Sequence, residues 1–483
     1  MKKKGILLLG SLALMVVAMV FIAVTLISRS SVTPTTSDAA TPKKDTSLPL
    51  PENVSYQIRN LSFDKSSQLY PGVWGINDKG YTIGYAFGFF GDTQVNKSYI
   101  WDDKGKSLSL SADVSDNTQL IKINNENTVL LQTLPSGIAY KGYVYDVNTT
   151  KLTELVYKPA VVSKSTTTKS KVSLSELKRK SLLKQNSLRF PNLKTPYTLP
   201  NDTCDVDCYE YIFPTDINNN NDVVAETEKG SVLWTNAGKA NQKYYYLNDL
   251  LNSTFKITGY RVSTPQITNR SGNSLTVVNE LHAISSDQAE YIVYDFDVVK
   301  GTLSNLYRIT RSFPAWYGTL SNITDSKQFA YLCTKNLING KAPLDGLAVI
   351  DMCYMTKDDN YNTEYSLSAE LDKISPRGIT FLQGFMTKDG NFSGTLLSEK
   401  TTSTEMGDYF VYNPSKKEYV IMENLVKQKK ILNMPTTGVI FPTGVNVSGN
   451  ISMNYMTNVS DPSTSAIGVL APYNRPGNTK TTK

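Results

Sequence analysis

A single histidine, His282, and only four cysteines stand in a chain of 483 residues. Those shortages exclude much chemistry. A centre that needs two imidazoles cannot be assembled, and a Ser-His-Asp or Cys-His arrangement has to run through His282. That residue lies in Asn279-Glu-Leu-His-Ala283 with no serine or cysteine motif beside it. Four cysteines also fall short of two zinc ribbons. Gly-x-Ser-x-Gly, the Walker loop and the dinucleotide fingerprint are all missing. No catalytic, cofactor-binding or metal-ligating residue is assigned from the sequence, and the expectation is a non-enzymatic protein. The alternative is an extracytoplasmic glycan hydrolase or lyase working with carboxylates and tyrosines, for which one histidine is no handicap.

Long apolar runs are equally scarce, apart from one. After the basic Lys2–Lys4, residues Ile6–Ile27 form 22 consecutive positions without a charge, enough to span a bilayer as a helix. No small-x-small cleavage site follows closely, so residues 1–30 are expected to be a signal-anchor holding the rest of the chain outside the cytoplasm. A cleaved signal peptide, giving a secreted protein, is the alternative. Residues 31–52, rich in Ser, Thr, Pro and Ala, read as a flexible linker.

The formal charge is +7 with a pI of about 8.8, but it is unevenly placed. Lys158–Thr198 contains ten basic residues and one acidic residue, Glu176, for +9; residues 1–52 and 474–483 carry +3 each, which leaves the remaining body at −8. The basic character therefore belongs to appendages, and nucleic acid is not expected as a partner of the body. Residues 158–203 are an insertion. Ser173-x-x-Glu176 has capping-box spacing ahead of Leu177 and Leu182-Leu183, yet the Ser/Thr-rich first half and the lack of interleaved aromatics favour a solvated loop over a binding arm.

What the chain has in abundance is Tyr, Val, Ile, Thr and Asn in short runs separated by turn residues, an all-β composition. Within it lies a repeat. Its clearest copy runs Tyr56-Gln-Ile-Arg-Asn-Leu61, Gly75-Ile-Asn-Asp-Lys-Gly80, Thr82-Ile-Gly-Tyr85 and Tyr99-Ile-Trp-Asp102. A second copy has Ile123-Asn-Asn-Glu-Asn127 with Tyr143-Val-Tyr-Asp146, and a third Asp216-Ile-Asn-Asn-Asn-Asn-Asp222 with Ser231-Val-Leu-Trp-Thr235. Looser copies start at Ile267, Ile323, Met386 and Val445, with strand ends assigned at Ile292-Val-Tyr-Asp295, Ala348-Val-Ile-Asp351, Phe410-Val-Tyr-Asn413 and Gly468-Val-Leu470.

Each copy pairs an apolar residue and an Asn/Asp/Gly turn, whose residues tolerate positive φ and cap their own backbone, with a bulky strand end at Trp101, Tyr145, Trp234, Tyr294 or Tyr412. The starts Ile76, Ile123, Ile217, Ile267, Ile323, Met386 and Val445 are 47, 94, 50, 56, 63 and 59 residues apart. That is the size of a four-stranded propeller blade. The expected fold is an all-β, seven-bladed propeller over residues 53–473, the interval of 94 holding an insertion or a missed blade, with a basic tail at 474–483.

The stretches Tyr56–Asp102 and Asp216–Leu250 resemble the repeats of bacterial HAF-type extracellular repeat proteins. The resemblance implies a secreted or surface β-propeller of the cell envelope and no particular activity. The expected partners are the membrane, through the N-terminal helix, and a carbohydrate or protein ligand at the propeller face.

The cysteines suit an oxidising compartment. Of the three pairings four cysteines allow, Cys204–Cys208 with Cys333–Cys353 is the local one and is expected. Asp358-Asp-Asn-Tyr-Asn-Thr-Glu364 alternates oxygen ligands as calcium loops do, but lacks their central glycine. Calcium is the one cofactor entertained.

Overall fold

The computed structural model describes residues 55–63, 69–90, 93–116, 118–133, 141–157, 211–227, 230–283, 288–314, 320–335, 349–374, 379–398, 408–414, 417–435, 438–458 and 464–473. The proposed anchor and linker, the basic insertion, Cys204, Cys208 and the basic tail lie outside them. Among the described residues no helix is long and apolar enough to cross a membrane.

The strands form seven sheets arranged as the seven blades of a propeller, antiparallel throughout except where Ile431–Leu432 runs parallel to Ser55–Asn60. The innermost strands are Tyr70–Ile76, Thr118–Ile123, Ile212–Ile217, Tyr260–Ile267, Leu320–Ile323, Ile379–Met386 and Val439–Val445. They end at the seven repeat starts. In every blade that terminal apolar residue sits in a cross-strand row with one residue of the second strand and one of the third. The rows are Ile76–Thr82–Trp101, Ile123–Val129–Tyr145, Ile217–Val223–Trp234 and Ile267–Val277–Tyr294. Ile323–Phe329–Met355, Met386–Phe392–Tyr412 and Val445–Ile451–Leu470 complete the ring.

One strand end is thereby corrected. In the fifth blade it is Met355, because Asp351 lies in mid-strand opposite Cys333. Val-Ile-Asp imitates the strand-end pattern, whereas Met355 carries none of its aromatic signature. The interval of 94 is an insertion and not a missed blade, since the second and third units are neighbours: Asn124 Nδ2 donates to the Asn218 carbonyl at 2.7 Å.

Pairing between first and second strands is interrupted by a register shift in all seven blades. A bulge adds twist and bend, which the crowded inner strands need to curve around an axis. Outside the axis, seven apolar clusters fill the seven spaces between neighbouring blades. Trp101 and Trp234 are fully buried in two of them, so the bulky strand ends pack blade on blade. The ring closes non-locally. Ser55–Asn60 adds to the last blade as its fourth strand, antiparallel to Ser465–Tyr473, in register from Ser55 opposite Tyr473 to Asn60 opposite Gly468, with the two-residue strand Ile431–Leu432 beyond it. The first blade keeps three strands. Cys333 and Cys353, on adjacent strands of the fifth blade, are joined by a disulfide with Cα atoms 5.7 Å apart.

Candidate functional site: the central channel and the blade faces

The turns between first and second strands lie together on one face, and their asparagines do two jobs. Asn124 Oδ1 accepts the amides of Glu126 and Thr128 at 3.0 and 2.8 Å, closing its own turn. Its Nδ2 donates to the next blade, to the Asn218 carbonyl and Asn221 Oδ1, both at 2.7 Å. The same step joins Asn446 to Asn77, Asn77 to Asn124 and Asn218 to Thr268.

The following residue makes a second row. Its backbone amide donates to the equivalent side chain one blade on, from Val447 to Asp78, Asp78 to Asn125, Asn125 to Asn219, Asn219 to Asn269 and Asn269 to Asp325. The row stops where Lys388 and then Val447 occupy the accepting position, because neither side chain can accept. The fourth turn residue has positive φ, as at Gly80 (83°), Asn127 (60°) and Asn221 (62°). Glycine or asparagine suits that geometry.

Below this rim, the position just before the apolar strand end turns to the axis in three blades. Lys122, Asp216 and Asn322 hold it in blades two, three and five, and Lys388 reaches in from the sixth turn. Asp216 is fully buried, with Lys122 Nζ at 2.6 Å and Lys388 Nζ at 2.5 Å on its two oxygens. Those oxygens also accept the amides of Ile217 and Ile267 at 2.9 and 3.0 Å. Lys388 bonds the Ile267 carbonyl as well. Burial opposes ionisation of Asp216, but the two ammonium groups and these bonds hold its carboxyl below the usual carboxylate range. Burial also pulls the Lys388 ammonium down to about 8. The side chains that face the axis here thus form a charged, mutually paired cluster.

At the rim, partial burial and the neighbouring Asp78 and Asp325 push the Asp389 carboxyl up to about 6. A raised acid holds its proton more tightly in the folded state. Its favourable contribution is therefore present at low pH and lost as pH rises from about 4 through about 6. Asp389→Asn is expected to flatten that part of the stability profile in chemical denaturation, and to be at least as stable as the parent at neutral pH. An unchanged slope would refute it.

The residues singled out from the sequence do not meet at this cluster. His282 lies on the second strand of blade four, its Nε2 3.1 Å from Glu280 Oε2, while Glu280 Oε1 accepts the Leu320 amide at 3.1 Å. Asp358–Glu364 forms a turn that caps itself: Asp359 Oδ2 accepts the Thr363 amide at 3.0 Å, and Glu364 accepts the Tyr331 hydroxyl. Cys333, Cys353 and Asp351 bring three ligand-type atoms within 4.8 Å, but the sulfurs are bonded to one another. The Asp351 oxygens accept Ser366 Oγ, Ser368 Oγ and two amides. That group is structural.

Sequence reasoning missed a row of aromatic rings on the first blade. Tyr70 and Phe87 stand opposite each other on adjacent strands. Their ring centroids are 5.9 Å apart, followed by Phe87–Tyr85 at 6.0 Å and Tyr85–Trp74 at 6.4 Å. Tyr70 is 61% exposed, and the row runs from it into the half-buried inner part of the blade. Gly72 makes room, since a Cβ there would approach the Tyr85 ring to 3.2 Å. Burial pushes the Tyr85 hydroxyl up to about 12. The alternation Tyr-x-Gly-x-Trp over 70–74 against Tyr-x-Phe over 85–87 was the available signal.

No protein-family model and no curated protein matches the chain. Solved structures similar to it include the Dos1 propeller, at 10% identity and TM-score 0.40, covering 86% of this chain and 95% of that one. The SapL1 lectin in complex with α-methyl fucoside matches at 8% identity and TM-score 0.32, covering 75% and 96%. The Pyrococcus horikoshii acylaminoacyl peptidase matches at 6% identity and TM-score 0.38, covering 84% of this chain and 50% of the other, so the chain spans about half of that enzyme's length.

Proposed function

We propose that the chain is an extracytoplasmic binding scaffold of the cell envelope that takes a carbohydrate on the aromatic row of its first blade. The observation that carries this is the row Tyr70, Phe87, Tyr85 and Trp74, which opens to solvent at Tyr70. Pyranose rings have apolar C–H faces and hydroxyl edges. Successive aromatic faces with a tyrosine hydroxyl at the open end match both. In this reading Ile6–Ile27 anchors the protein or directs its export, residues 31–52 hold the propeller away from the membrane, and the similarity to HAF-type repeats agrees with such a setting.

The hydrolase alternative needs a pair of carboxylates around a scissile bond. The one fully buried carboxylate of the channel cluster, Asp216, is occupied on both oxygens by lysines and amides of its own chain, which favours the scaffold.

A panel of envelope and host glycans, tested by array and then by calorimetry, checks the proposal. Tyr70→Ala is expected to weaken the best ligand about tenfold, the worth of one good aromatic contact. Its denaturation midpoint should stay near that of the parent, because the ring is exposed. Absence of any glycan signal, or binding indifferent to Tyr70→Ala, refutes the proposal; retained binding to a protein instead would move the ligand to another class.

A further inference from the structure

The channel cluster contains more than an ion pair. Lys122 Nζ, 2.6 Å from Asp216 Oδ1, also lies 3.4 Å from Asn322 Oδ1. Asn322 is almost fully buried. Its Oδ1 accepts the Ile323 amide at 3.0 Å and its Nδ2 donates to the Met386 carbonyl at 3.1 Å, so the carboxamide is fixed in one orientation. An amine, a carboxamide and a fully buried carboxylate thus converge from blades two, five and three. We propose that Lys122 and Asn322 become joined by an intramolecular isopeptide bond across the channel, with Asp216 carrying the protons.

Two ammonium groups share one carboxylate here, and Lys388 stays on Asp216 when Lys122 gives up a proton. Once ammonium has departed, Lys388 and the Asp216 carboxylate are left as a balanced pair, which a water-poor site favours. The steps conserve atoms and electrons. Lys122 passes a proton to Asp216, and the Nζ lone pair forms a bond to Asn322 Cγ. Charge developing on Oδ1 is met by the Ile323 N–H, a donor already in place. The Cγ–Nδ2 bond breaks with its electron pair on nitrogen. That nitrogen takes two protons, the one first given to Asp216 and the one shed by Nζ after attack, and departs as ammonium. Asp216 ends as a carboxylate, nothing is oxidised or reduced, and no co-reactant is used. Fixed geometry stands in for an external catalyst. The bond would tie two non-adjacent blades together, residues 200 apart in sequence.

The test is peptide mapping of the purified full-length protein by mass spectrometry under reducing conditions. A branched peptide joined through Lys122 and Asn322 is expected, about 17 Da lighter than its two linear parts because ammonia has left, with tryptic cleavage after Lys122 lost. Full recovery of both linear peptides, with cleavage after Lys122, overturns the proposal on the parent protein alone. Lys122→Arg and Asn322→Ala should each abolish the branched peptide. Asp216→Asn retains both reacting groups and should leave them unjoined; cross-linking as complete as in the parent would overturn the role given to Asp216.

Discussion

Asp216→Ala is expected to lower the free energy of unfolding by about 3–5 kcal/mol at neutral pH, the cost of removing one partner from a buried charge group. Lys122 and Lys388 have side chains only 25% and 19% exposed. Without the carboxylate they face each other as like charges with little water to screen them, and the Ile217 and Ile267 amides lose their acceptor. The deficit should shrink as pH rises. Lys388 already titrates near 8 with Asp216 present, and removing a negative neighbour depresses a lysine further, so alkali discharges the unpaired amine. Urea unfolding at about pH 7 and about pH 9.5 checks both parts, with Glu154→Ala as control. Its pair with Lys141 is exposed on both sides and should be worth less than about 1 kcal/mol. A variant within about 1 kcal/mol of the parent at neutral pH would show that the cluster is dispensable, and an equal deficit at both pH values would refute the discharge of the unpaired amine.

Much of the architecture was legible because the repeat marks a place where local and long-range demands coincide. An apolar residue ending the inner strand must pack between blades, and the turn after it must accept positive φ, so Ile-Asn-Asn-Glu-Asn127 and Met-Thr-Lys-Asp-Gly390 announce the same corner despite sharing little else. The strand-end aromatics were legible for a similar reason, as Trp101 and Trp234 lie at equivalent positions and are fully buried. The strand end of the fifth blade was misplaced by five residues, at Ile350 in place of Met355, because Met355 packs well without an aromatic ring. Nearby, Asp351 looks like a strand end while serving a serine-lined turn.

The channel was hidden for a different reason. Aligning the repeats shows Lys122, Asp216 and Asn322 immediately before Ile123, Ile217 and Ile323, where other units have Gln266, Phe385 or glycine. That alignment marks a variable inward position. It does not say that Lys388, a turn residue in mid-row elsewhere, swings to the axis and pairs with Asp216, 172 positions away. The swing and the break in the rim row have one physical origin: lysine offers no acceptor to the preceding blade's amide, while its length reaches a buried carboxylate.

The rim asparagines were read from sequence only as self-capping turn residues, and a substitution series at Asn124 separates that job from the stapling of blades. Asn124→Ala removes two accepted and two donated hydrogen bonds at a buried site, and a loss of about 3 kcal/mol is expected. Asn124→Thr should cost about half as much, since a hydroxyl still accepts the amide four residues on, as Thr324 and Thr387 do in blades five and six. Asn124→Asp is the decisive member. Aspartate caps turns as well as asparagine does, so a purely local role would leave stability unchanged. In the stapled ring, however, its carboxylate would press against two acceptors, the Asn218 carbonyl and Asn221 Oδ1, and the loss should equal or exceed that of alanine. Denaturant midpoints ranked parent, threonine, alanine and aspartate would place the function of this asparagine between blades; an aspartate variant as stable as the parent would return it to its own turn.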